Sequence, residues 1–176
     1  MVSPAFLFEV IMLIDILEDN INITSLLQEA NGVKQFLSLG WRDVSQIGLQ
    51  GHKPNLNPVD EWKASIERTT KLQYPETYFR HLLFDLPIIN RFIEKYGLVR
   101  TRLINNNSQK CDIIQQGMTK SIHIPLISNP NCFIVIDNQM FYLEPGKIYL
   151  TNTTRKHTYM NASSSPRIHI TGCLYS

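Results

Sequence analysis

The sequence has little net charge and no run of basic residues. Its 17 Lys and Arg stand against 15 Asp and Glu, for a formal +2 at neutral pH and a charged fraction of 18%. Binders of nucleic acid and other polyanions carry basic patches or stripes, and the scattered cations here exclude that class of partner. Cysteine is scarce too. Cys111, Cys132 and Cys173 are odd in number and show no C-x-x-C spacing, which argues against a disulfide framework and for free thiols in a reducing, cytoplasmic setting. Long apolar runs are missing as well. The longest, Phe6 to Leu17, is broken by Glu9 and Asp15 and has no basic residue ahead of it. It is too short and too charged to span a bilayer and is expected to be a buried strand rather than a leader, so no membrane partner is expected. Without secretion, the Asn-x-Ser/Thr triplets at Asn22, Asn152 and Asn161 carry no glycan. Repeats, linkers and low-complexity segments are absent, and 176 residues suit a single domain, 1–176, with a core of its own.

What is present divides into a helical half and a β half. Ser25 to Gln28 forms a capping-box pattern and predicts a short helix stopping near Asn31 and Gly32. Loose alternation over 33–50 suits one or two strands. The loop 51–58 holds His52, expected to be solvated. A surface helix is expected over Asp60 to Lys71. Apolar residues at helical spacing from Tyr78 to Tyr96 predict two helices, the first carrying His81, the second begun by Pro87 and ended by Gly97. From Leu98 onward, seven or eight short runs with turn residues between them indicate a sandwich or barrel. Asp137-Asn138 reads as a tight hairpin. The fold class is α+β, helical early, with a β-rich core at about 98–175.

The polar residues inside those late runs carry the functional argument. Alternation puts Ser121 and His123 on one face of their strand, and Ile122 and Ile124 on the other. The same split separates Arg167 and His169 from Ile168 and Ile170. Two strands that bury isoleucine on one side and show cationic or ligand-type residues on the other line a polar pocket. Asp112, His123, His157 and Arg167 are its candidate residues. Carboxylate and imidazole with open coordination positions suit a non-haem Fe(II) centre, and the fork of Arg167 suits a bound carboxylate. Spacing alone is a weak signal, since histidines scattered through strands are more often structural than ligands.

Residues 98 to 175 resemble the C-terminal part of the aspartyl/asparaginyl β-hydroxylase family. The likeness rests on Ile-His-Ile-Pro at 122–125, the turn at Asn129-Pro130, Glu144 to Lys147 ahead of a strand, and His157 followed ten residues later by Arg167. Gly40-Trp41, Gln46 to Leu49 and Arg100-Thr-Arg102 agree more loosely. The resemblance implies a double-stranded β-helix, a cupin-like jelly roll, that uses Fe(II) and 2-oxoglutarate to hydroxylate a small-molecule or peptide substrate. It implies His157 as an iron ligand, Arg167 on the far carboxylate of 2-oxoglutarate, and His123 helping to hold the same cosubstrate.

In one place the sequence departs from the family. The first iron ligand belongs to a His-x-Asp or His-x-Gly motif, yet no histidine lies between His81 and His123. One alignment puts Asp112 on the acidic position and Lys110 on the histidine. A slip puts Cys111 there, and a further one lays Gln115-Gln-Gly117 on His-x-Gly. Two functions follow. One is an Fe(II)/2-oxoglutarate oxygenase acting on an Asp, Asn or similar side chain, with iron held by Asp112 and His157. The other is a non-catalytic cupin-like module that keeps a carboxylate pocket.

Overall fold

The structure, a computed structural model, describes residues 12–40, 44–67 and 75–175. Residues 6–11, Trp41 and 68–71, for which sequence expectations were made, lie outside the described residues. The first half contributes β1 (Ile14–Glu18), α1 (Ile23–Phe36), β2 (Gln46–Gly48) and β3 (Gln50–Gly51). The short helices α2 (Pro58–Glu61), α3 (Ala64–Glu67) and α4 (Pro75–Tyr78) follow, then β4 (His81–Leu82) and α5 (Pro87–Lys95). The second half is strand throughout: β5 (Leu98–Asn106), β6 (Lys110–Cys111), β7 (Ser121–Ile127) and β8 (Cys132–Ile136). It ends with β9 (Gln139–Tyr142), β10 (Ile148–Thr151), β11 (His157–Asn161) and β12 (Arg167–Leu174).

Two antiparallel sheets face each other, one of six strands in the order β1-β10-β7-β12-β5-β2, the other of four in the order β6-β11-β8-β9. This is the expected jelly roll. The alternation in β7 and β12 decides what lies on each side of the larger sheet. Ile122, Ile124, Ile168 and Ile170 are buried against Leu26, Ala30 and Val33 of α1 and Ile89 and Ile93 of α5. Full burial of each such side chain contributes about 1.5–3 kcal/mol. The opposite faces of the same strands look into the barrel. There Ile134, Ile136, Leu143 and Tyr149 form a second, smaller core.

Several local expectations change. Helix α1 starts one turn early, where Asn22 rather than Ser25 caps it by accepting from the Ser25 amide. It also runs through Gly32 to Phe36, because Leu26, Ala30 and Val33 recur on one buried face and tertiary packing outweighs a glycine's poor propensity. The helix ends instead where Ser38 takes φ +54°. In place of a helix from Tyr78, the chain breaks into α4 and the two-residue strand β4, which pairs with β3. His81 therefore sits on a strand. The buried Gln50 amide donates to the carbonyls of Arg80 and Leu98 and accepts from the Thr101 amide, tying the three segments together. His52 is not solvated: its side chain is 12% exposed, 3.7 Å from Glu61, and stacked on Tyr78. The surface helix from Asp60 is two short helices, α2 and α3, over the described part.

Other expectations hold. Pro87 opens α5, and Gly97 follows it with φ +59°. Asp137 and Asn138 both adopt positive φ in the hairpin between β8 and β9. At the start of α5, the backbone amides of Ile88 and Ile89 donate to the Glu29 carboxylate of α1, which fastens the two helices to one another.

The sheet assignment is tested by Ile124→Ala. Truncating this side chain, 1% exposed, is expected to cost about 2–5 kcal/mol in urea unfolding. Met140→Ala, at a side chain 61% exposed, is expected to stay within about 0.5 kcal/mol of the parent. Equal effects from the two would contradict the placement of Ile124.

Candidate functional site

A polar pocket of about 220 Å³ opens between the two sheets. The six-stranded sheet supplies Arg102 of β5, Ser121 of β7 and Thr171 of β12. The four-stranded sheet supplies His157 and Tyr159 of β11, and the segment after β6 supplies Asp112 and Gln115. Alternation explains the pairs His157 and Tyr159 of β11 and Thr171 and Cys173 of β12, each two positions apart on one strand. A bulge at Arg100, which adopts φ +52°, shifts the β5–β12 register, and Arg100 and Arg102 both line the pocket.

Of the four residues singled out from the sequence, Asp112 and His157 line this pocket. His123 and Arg167 lie deeper, 1% and 3% exposed, with Tyr159 between them and the opening. The Tyr159 hydroxyl is 3.1 Å from His123 Nε2, and the Arg167 guanidinium carbon lies 5.1 Å from the centre of the Tyr159 ring. Thr171 Oγ1 takes the other nitrogen of His123 at 3.1 Å. The His123 ring is thus held at both ends. Tyr159 was not picked out from the sequence, although its place two residues after His157 puts it on the same face.

Around Arg167 several buried polar atoms lack partners. Its Nη2 donates to His169 Nδ1 at 3.0 Å. A guanidinium only donates, so the His169 proton sits on Nε2, which is buried and has no partner. Asn106 faces Arg167 across the β5–β12 pair, and both atoms of its side-chain amide are buried and unpaired. No ion pair joins Arg167 to a carboxylate among the described residues. Burial draws the Arg167 guanidinium down to about 10, leaving it charged at neutral pH. Burial, with the Arg167 charge second, holds His123 and His169 well below the ordinary imidazole range. It also pushes the Tyr159 phenol up to about 12. The inner site is therefore one fixed positive charge among neutral groups, an environment that favours an anion.

An iron ion fits less well. Among the described residues, no three His, Cys, Asp or Glu side chains converge as a metal cluster. The His157 ring is set for coordination: its Nδ1 lies 2.9 Å from the Arg155 carbonyl, so Nδ1 donates and Nε2 keeps the lone pair. Asp112 is engaged otherwise, with Oδ1 at 3.4 Å from the Lys110 ammonium.

Residues 94–172 match the family profile described as Aspartyl/Asparaginyl beta-hydroxylase, and the resemblance read from the sequence holds over that stretch. No curated protein matches the sequence. Among solved structures, a non-heme monooxygenase, ThoJ, in complex with nickel superposes with a TM-score of 0.50 at 10% identity, over 92% of this chain and 74% of that one. An oxidoreductase of the 2OG-Fe(II) oxygenase family from Burkholderia pseudomallei gives 0.42 at 11%, over 73% and 65%. A cupin domain from Bordetella pertussis Tohama I gives 0.39 at 10%, over 44% and 81%. The chain spans 62% of the length of two further matched structures. At these identities the likeness is one of fold. No helix among the described residues is long and apolar enough to cross a membrane.

The buried histidines predict an acid-sensitive fold. His123 and His169 have lowered folded-state values, so the unfolded chain takes up more protons once pH drops below about 6.5. The stability they contribute is complete above that value and is lost as pH falls through it. Thermal melting is expected to drop between pH 7.5 and 5, and His169→Asn is expected to flatten that drop. An identical pH profile in the variant would contradict this origin of the effect.

Proposed function

We propose that this barrel, of the aspartyl/asparaginyl β-hydroxylase type over residues 94–172, binds 2-oxoglutarate or a dicarboxylate of its shape and does so without a tightly held iron ion. The single observation that carries the reading is Arg167, 3% exposed and without a carboxylate among the described residues. An unpaired buried charge costs several kcal/mol unless something of opposite sign meets it. A ligand carboxylate on the guanidinium fork, supported by the Nε2–H of His169 and the amide of Asn106, would meet it with charge-assisted hydrogen bonds. Tyr159 lies over the buried Arg167 and His123 at the pocket side, where it has to be passed or displaced by an entering ligand.

A second reading is favoured by the orientation of the His157 ring, whose Nε2 lone pair is free for a metal. On it, the chain is an Fe(II)- and 2-oxoglutarate-dependent oxygenase acting on an Asp, Asn or similar side chain. The iron would rest on His157 and Asp112, and the cosubstrate would supply the electrons that reduce O2. The expected location is the cytoplasm, and the substrate a peptide or small molecule.

Calorimetric titration with 2-oxoglutarate, in chelator and with Fe(II) under anaerobic conditions, separates the two. Saturable binding in chelator is expected. Arg167→Lys is expected to weaken it by about 10- to 100-fold, the equivalent of about 1.5–3 kcal/mol of charge-assisted hydrogen bonding. Binding that requires Fe(II), together with O2-dependent consumption of 2-oxoglutarate, would favour the oxygenase. No binding under either condition would overturn both.

A further inference from the structure

Strand pairing identifies the residue that stands opposite His157, and it is not Lys110. Lys110 pairs with Asn161 and Cys111 with Met160. The Asp112 amide then donates to the Tyr159 carbonyl at 2.9 Å. Past this point, Gln115 and His157 exchange both backbone hydrogen bonds, each at 2.8 Å. Between these contacts, 112 to 115 advances three residues while 159 to 157 advances two. One extra residue bulges out at Ile113 and Ile114, which are 81% and 72% exposed. The bulge keeps Asp112 and Gln115 both on the barrel side, in place of the strict alternation that would have separated them.

The distances follow from sheet geometry. Directly opposed residues have Cβ atoms about 4.5–5.5 Å apart, and diagonal neighbours about 7–8 Å. Gln115 is therefore the direct partner of His157, and Asp112 its diagonal one. Lys110, opposite a residue four positions further along β11, lies roughly 13 Å away along the strand at about 3.3 Å per residue. A ligand meant to share a metal with His157 belongs at 115. There the chain carries an uncharged amide, whose oxygen is a weaker donor to Fe(II) than an imidazole nitrogen. The carboxylate diagonal to His157, that of Asp112, is paired with Lys110 at 3.4 Å. Gly117 fits the same register: its amide donates to the Thr153 carbonyl, and a Cβ there would lie 3.1 Å from that oxygen.

We infer that Gln115 occupies the position of the absent first metal ligand, and that this one side chain keeps the pocket metal-independent. The inference rests on the dicarboxylate reading above and extends it: replacing Gln115 alone builds a divalent-metal site from 115, His157 and Asp112. Lys110, which one alignment sets on the histidine, is a bystander to coordination and acts as the partner of Asp112.

The test uses Co(II), titrated into the full chain and followed by calorimetry and by the cobalt ligand-field spectrum. The parent and Lys110→His are expected to bind weakly and alike. Gln115→His is expected to gain more than about 100-fold, since even the partners of metal ligands are worth roughly 10–100-fold in affinity. Gln115→Glu has the same shape as the parent residue and is expected to gain less, which guards against a histidine variant that fails to fold. The inference is overturned if the parent binds Co(II) as tightly as Gln115→His, if Lys110→His gains instead, or if both variants at 115 fold and gain nothing. Titration of the parent with 2-oxoglutarate in chelator keeps the readings apart. Its failure sinks the dicarboxylate proposal, while the cobalt result alone decides the role of Gln115.

Discussion

A guanidinium buried without a carboxylate among the described residues is the constraint on which the inner barrel depends. Water would solvate Arg167 fully, and the fold instead gives it one imidazole nitrogen and an aromatic face. Such a charge is tolerable only where its neighbours do not add to it. Burial accordingly keeps His123 and His169 neutral beside it, and the two ring nitrogens of His123 meet Thr171 and Tyr159. The Tyr159 phenol, also held neutral, closes the group toward the pocket. Arg167, His123, His169 and Tyr159 thus form one electrostatic unit, in which burial first and the Arg167 charge second keep both imidazoles unprotonated.

The same unit depends on the isoleucines behind it. Ile122, Ile124, Ile168 and Ile170 alternate with the polar residues, so the helices that cover one face of the sheet also fix which side chains enter the barrel. A shift of one residue in either strand would exchange the two sets. Packing energy on the outer face therefore acts as the positioning force for the polar inner face.

Much of this was readable from residue order. Alternation in 121–128 and 167–174 located the central strands and separated core from pocket, and Pro87, Gly97 and Asp137-Asn138 marked ends and turns. The failures have local causes. Gly32 looked like a helix stop because propensity is visible in sequence, whereas the packing of Val33 beneath it is not. Residues 78–86 have helical spacing, but Gln50, thirty positions away, supplies the hydrogen bonds that let them break into a short helix and a strand. At the site, the sequence left three alignments of the first-ligand motif open, on Lys110, Cys111 or Gln115, because the bulge at Ile113 and Ile114 that sets the pairing with β11 is not visible in residue order. Asn106 and Tyr159 were within reach of the alternation argument, but attention to charged and ligand-type residues passed over an amide and a phenol.

The bulge has a consequence for how such a barrel changes over descent. Between Asp112 and Gln115 the pairing with β11 already absorbs one surplus residue, so losing it would leave both neighbours facing inward. Chain length can vary there while the inside of the barrel stays the inside. The stretch Ser121 to His123 of β7, paired in regular register with β10 on one side and β12 on the other, has no such slack. An indel in it would turn His123 into the hydrophobic layer and an isoleucine toward Arg167. Two segments a few residues apart thus face opposite evolutionary permissions, one open to drift in length and the other restricted to substitution in place.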